Sequence, residues 1–125
     1  MNLYIPEKFK NKEINDVKFT EQDLINFELR VKEEYEKGTI TGPVHLLKGN
    51  EKQLLEVFKY ISPDDWVFSS WRNHYHALLH GVPEEHLWNL IVSGKSMSVF
   101  CESPKLYTSS IVGGVIPIAL GAAKA

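Results

Sequence analysis

An uncharged stretch at residues 111–123, Ile-Val-Gly-Gly-Val-Ile-Pro-Ile-Ala-Leu-Gly-Ala-Ala, constrains this chain more than any other feature. A helix that is apolar all round belongs inside a core or a membrane. The stretch falls short of the roughly 20 residues that span a bilayer, and Gly113, Gly114, Pro117 and Gly121 interrupt it. Burial in a core is therefore the expectation, with Ile-Val-Gly-Gly as a turn feeding a Pro-containing helix that opens near Ile116. Further chain is expected after it.

At 125 residues the chain suits one domain with a real core. Hydrophobic residues at 43% and charged residues at 24% match ordinary globular usage, which argues against disorder or a fibrous class. A formal net charge of -2 gives no basic excess, so neither a nucleic acid nor an acidic membrane surface is indicated as partner. Cys101 stands alone, which excludes an internal disulfide framework and points to a reducing, cytoplasmic compartment. The N-terminus has neither the apolar core of a signal peptide nor the Arg-rich character of a transit peptide.

Residues 1–19 lack sustained periodicity and are expected to form a loosely attached arm. Thr20-Glu-Gln-Asp23 is a capping-box pattern, and Leu24, Phe27 and Val31 follow at helical spacing, which predicts a helix over about 21–37 ended by Gly38. Asn50 is placed to cap a second helix carrying Leu54, Leu55 and Phe58. Ser62-Pro-Asp-Asp65 breaks it, and Trp66-Val-Phe68 is a short β-prone run. A short helix is expected over 74–80 with Gly81 as its stop, then another from Pro83 to about Val92 ended by Gly94. Residues 95–110 read as a polar loop.

Three segments carry candidate chemistry: Gly42-Pro-Val-His45, Trp71-Arg-Asn-His74 and Ile111-Val-Gly-Gly114. Arg72 comes just past a strand end, where ligands collect in open α/β sheets. Its guanidinium stays charged and offers directed donors to phosphate oxygens. The plainer alternative is a surface Arg pairing with Asp64 or Asp65. His45 alone reads as a satisfied core histidine, and Trp66, Trp71 and Trp88 as core. His76 and His80 share a helix face at the spacing zinc proteases use, but Ala77 stands where those enzymes place Glu, no Cys is near and no carboxylate supplies an obvious third ligand. Glycines in 111–114 let main-chain groups approach a heteroaromatic ring edge.

Together these segments resemble the alpha subunit of the thiamine-diphosphate-dependent decarboxylase component of 2-oxo-acid dehydrogenases, over residues 21–125. The resemblance rests on Gly42-Pro-Val-His45 with Gly49 and Glu51, Pro63-Asp-Asp-Trp-Val-Phe68, Trp71-Arg-Asn-His74, His76-Ala-Leu78 with Gly81, Lys95-Ser-Met97 and the run 111–123. It implies an α/β fold: residues 1–41 as an N-terminal arm and helix, then 42–125 as the first part of a Rossmann-like, parallel-sheet, thiamine-diphosphate-binding domain. Trp71 falls where the family usually has Tyr, and Arg72 where its Arg contacts the cofactor diphosphate. Ser110 stands where a Gly is usual, and Val112 matches the position whose main chain meets the aminopyrimidine. His45 matches a histidine near cofactor and substrate at the entrance.

The implied chemistry is decarboxylation of a 2-oxo acid followed by reductive acylation of a lipoyl arm. The family's Gly-Asp-Gly to Asn signature, which holds Mg²⁺ and the diphosphate, and its later histidine loop are absent from this sequence. Ser98 also replaces the family's His after Ser-Met. The implied partners are a beta subunit, a complementary chain completing the domain, or both, and the chain alone is expected to be inactive. Two other readings stand beside this one: a non-catalytic association module that keeps part of the fold, and a His-rich metal-binding protein.

Overall fold

A computed structural model describes residues 15–125. Its elements run α1 (Glu21–Glu36), α2 (Glu51–Phe58), β1 (Val67–Ser70), α3 (His74–His80), α4 (Glu84–Val92), β2 (Phe100–Cys101), β3 (Leu106–Ser109) and α5 (Val115–Lys124). The fold is thus mixed α/β.

Helix α1 begins as its sequence dictates. The Asp23 amide donates to Thr20 Oγ1 at 3.2 Å and the Thr20 amide to Asp23 Oδ2 at 2.8 Å, a reciprocal box that satisfies two exposed helix-end donors. Its inner face buries Leu24, Phe27 and Val31, with Glu28 among them. The start of α2 departs from expectation. Asn50 makes no capping bond, and the Glu51 carboxylate reaches back instead to accept from the Gly49 amide at 3.0 Å. Helices α3 and α4 end as expected, at Gly81 and at Ser93-Gly94.

The three strands form one sheet in the order β1-β3-β2. Strands β1 and β3 are parallel, in register from Val67↔Leu106 to Ser70↔Ser109. Strand β2 pairs antiparallel to β3, so the sheet is mixed and not the wholly parallel one expected. Both β2 and β3 lie in the segment read as a polar loop. On the core face of β3, Leu106 and Thr108 are buried beside Val99 and the helices. On the other face Trp66, Phe68, Tyr107 and Phe100 form a row of ring contacts with centroids 6.0 to 6.5 Å apart.

Two further expectations are corrected. Helix α5 forms with Pro117 in its first turn, where a missing N–H costs little, but none of its residues is buried: Ile116 is 69% and Leu120 62% exposed. Apolar composition sets the free-energy gain from burial, but only an opposing surface realises it, and α5 meets β1 and β3 on one side while Ile116 and Leu120 stay open. Of the loosely attached arm, residues 1–14 lie outside the described residues, while 15–19 are docked. Asn15 donates its amide to the Lys59 carbonyl at 3.0 Å, and Val17 and Phe19 pack on the core.

Candidate functional site

The parallel pairing of β1 with β3 decides which candidate residues meet. Because Ser70 and Ser109 are register partners, the segments Trp71-Arg72 and Ser110-Ile-Val112 leave the sheet side by side at its carboxyl end. The loop carrying His45 folds over the same end. The His45 and Trp71 rings stand edge to face at 6.1 Å, and Arg72 Nη1 donates to the Leu46 carbonyl. So Arg72 is exposed and tied to the 42–49 loop, and the pairing with Asp64 or Asp65 gives way to that bond. A guanidinium has five N–H donors, and this contact occupies one of them.

Ser110 lies on the strand exit with its hydroxyl 3.5 Å from Ser98 Oγ. Val112, 82% exposed, sits on the following turn. That turn is tight: a Cβ at Gly114 would come within 3.1 Å of both the Ile111 side chain and Ser109 Oγ, and Gly113 takes a φ of 72°. Another close approach opens the first segment. A Cβ at Gly42 would stand 2.8 Å from the Gly94 Cα, so the loop before His45 crosses the end of α4 backbone against backbone.

Beneath these loops runs a buried polar network that the sequence motifs do not announce. Glu28 and His74 are 5% and 1% exposed, with Glu28 Oε1 3.0 Å from His74 Nδ1. His74 Nε2 in turn lies 3.3 Å from Ser96 Oγ. Asn73 Nδ2 donates to the Ser96 carbonyl at 2.7 Å and to Thr108 Oγ1 at 3.1 Å, and the same hydroxyl accepts the Val99 amide at 2.7 Å. Carboxylate, imidazole and hydroxyl thus stand in the order of a hydrolytic triad, yet Ser96 is only 3% exposed and no substrate reaches it. The arrangement ties loops together. A sequence signal existed: Glu28 falls on the Leu24-Phe27-Val31 face, where a charge needs a partner.

Next to this network, a cavity of about 580 Å³ is lined by Ile25, Leu29, Leu47, Glu51 and Tyr75 among others, and by none of His45, Trp71, Arg72, Ser110 or Val112. Burial, and then the neighbouring Glu51 carboxylate to which it donates at 3.0 Å, push the Tyr75 hydroxyl far above its usual range, so it remains a hydrogen-bond donor at any working pH. His76 and His80 both stack edge-on against Phe58, and burial holds both below the ordinary imidazole range. Among the described residues no three His, Cys, Asp or Glu side chains come together to hold a metal ion.

The residues present fit part of a thiamine diphosphate site. An exposed, permanently charged Arg72 suits a diphosphate, and Val112 stands exposed on the neighbouring turn. No family model matches the chain. It is 33% identical over 109 residues to the pyruvate dehydrogenase E1 component subunit alpha of Porphyra purpurea, across 78% of this chain and 31% of that protein. The chain is a relative of the pyruvate dehydrogenase E1 alpha subunits. A chloroplastic alpha-3 subunit of the same component from Oryza sativa subsp. japonica is 33% identical over 99 residues, or 71% of this chain and 23% of the relative. Its counterpart from Arabidopsis thaliana is 30% identical over 108 residues, or 78% and 25%. The chain therefore spans less than a third of the length of each of these E1 alpha relatives. No described helix is long and apolar enough to cross a membrane.

Proposed function

We propose that this chain is the N-terminal part of a thiamine-diphosphate-dependent 2-oxo-acid dehydrogenase alpha subunit, with residues 1–41 as an arm and helix and 42–125 as the opening of the cofactor domain. The observation that carries this is the meeting of His45, Trp71 and Arg72 at the carboxyl end of a parallel strand pair, in a chain related to E1 alpha subunits. Bound thiamine diphosphate supplies a thiazolium ring at which a 2-oxo acid can lose carbon dioxide. Arg72 would hold the diphosphate, the main chain at Val112 would orient the ring, and Trp71 would cover it from beside His45. His45 would hold or pass a proton near the substrate, and Ser110 would border the diphosphate end. Mg²⁺ would be held by ligands outside the described residues, and a beta subunit or a complementary chain would complete the site. A reducing compartment such as the cytosol fits the single Cys101.

A second reading, an association module, draws on α5, the turn before it and the aromatic row, which leave Ile111, Ile116, Leu120 and Phe100 exposed. Thermal-shift titration with thiamine diphosphate and Mg²⁺, run with and without a beta subunit and beside Arg72→Ala, separates the two, because a ligand that binds only the folded form raises its melting temperature. A shift that Arg72→Ala abolishes supports the cofactor reading. A cooperative melt that never shifts, with or without the beta subunit, rejects it in favour of the association module.

A further inference from the structure

The candidate site is assembled from two loops far apart in sequence, and one carboxylate oxygen touches both. Glu28 Oε1 accepts the Leu47 amide at 3.3 Å and lies 3.0 Å from His74 Nδ1. Leu47 is two residues past His45 and adjoins Leu46, whose carbonyl takes the Arg72 guanidinium. His74 is two residues past Arg72. The bonds therefore close a ring: Glu28 to Leu47, Leu46 to Arg72, then along the chain to His74 and back to Glu28. A closed ring fixes the separation of its members where any single bond would leave a hinge. At 5% exposure Glu28 has no water to replace either bond, and its backbone is held in the middle of the 16-residue helix α1. Farther out, Ser96, Asn73 and Thr108 brace His74 and its loop from the side of β3.

We propose that Glu28 is a positioning residue that sets the distance between the His45 loop and the Arg72 loop. Its significance for cofactor binding rests on the function proposed above; the geometric claim does not. The test is residue-by-residue amide hydrogen exchange of the full chain as wild type, Glu28→Asp and Glu28→Gln. Aspartate withdraws the acceptor by one methylene, so it cannot reach both loops, whereas glutamine keeps a carbonyl oxygen at full reach. In Glu28→Asp the amides of Leu47 and of residues 72–74 are expected to exchange together, on the order of tenfold faster, while those of Leu87 and Thr108 hold their protection. Glu28→Gln should stay near wild type at all of them.

The proposal is overturned if only one loop loosens, if neither does, if glutamine fails to restore protection, or if exchange rises equally everywhere. A Glu28→Asp chain that does not fold overturns it too, since Glu28 is then an anchor of the whole fold. Titration of the same three proteins with thiamine diphosphate and Mg²⁺ bears on the function alone. Absence of binding by the wild type would count against the cofactor reading, with the exchange comparison still deciding the role of Glu28.

Discussion

Replacing Gly42 by Ala should damage this protein through a single steric contact whose size can be worked out. The added Cβ would stand 2.8 Å from the Gly94 Cα and 3.1 Å from the Gly94 carbonyl oxygen, closer than carbon atoms sit without displacement. Both opposing atoms are backbone, so no side chain can swing aside, and the cost belongs at the upper end of overpacking penalties, about 3 kcal/mol. Unfolding entropy near 2.1 cal/mol/K per residue gives roughly 0.26 kcal/mol/K for a chain of 125 residues, so the midpoint should fall by about 11 °C. Gly38→Ala is the control. Its φ is 75° but nothing lies within 4 Å of the added carbon, so it carries only the left-handed backbone penalty, about 1 kcal/mol or roughly 4 °C. Thermal melts followed by circular dichroism would measure both. A Gly42→Ala protein that melts no lower than Gly38→Ala would refute the claim that the two backbones cross in contact.

Other outcomes follow from features already described. Burial keeps His76 and His80 below the ordinary value of 6.5, so the unfolded chain takes up protons first on acidification. Stability should therefore fall as pH drops from about 6.5 toward the folded-state values, and urea midpoints of wild type against the double variant His76→Gln/His80→Gln should converge at low pH; equal slopes would contradict this. Arg30 sits 3.9 Å from the Trp88 ring centroid and 2.8 Å from Glu84 Oε1. Arg30→Ala should cost about 1 kcal/mol and Glu84→Gln less than about half of that, because the ion pair is exposed; equal losses would mean the ring contact contributes nothing. Removing residues 115–125 should lower the binding of a hydrophobic fluorescent probe, since α5 exposes Ile116, Ile118 and Leu120; unchanged fluorescence would place the adhesive surface on Ile111 and the aromatic row.

Local chemistry was legible in the sequence, and long-range partnership was not. The Thr20-Asp23 box, the Leu24-Phe27-Val31 spacing and the Gly81 stop each act within one or two turns, so they could be read directly and the helices formed where they indicate. Strand β3 escaped because Leu106-Tyr-Thr-Ser109 is only four residues long and becomes a strand by lying between β1 and β2. Helix α5 was recognised as a helix but misjudged as core, since apolarity states a preference and says nothing of what will cover it. Asn50 stands at the cap position as read, yet its side chain makes no capping bond. At the site, His45, Trp71 and Arg72 stood out because their motifs are compact. Glu28 did not, because its meaning depends on His74, which helix α1 meets only after the chain has turned back.

The unstaggered pairing of β1 with β3 separates two kinds of sequence change. The exposed turn at 102–104 can lengthen or shorten while Trp71 and Ser110 keep their places, because hydrogen bonds between the strands, and not the contour of the intervening chain, set their mutual height. A slip of one residue within β3 would be far less forgiving. Successive strand residues point to opposite faces, so it would turn Leu106 and Thr108 out of the core and carry Ser110 away from the end of β1 in a single step. Indels are thus tolerable at such a surface turn and intolerable across the four residues of β3, an asymmetry that anyone grafting or recombining this segment would meet first.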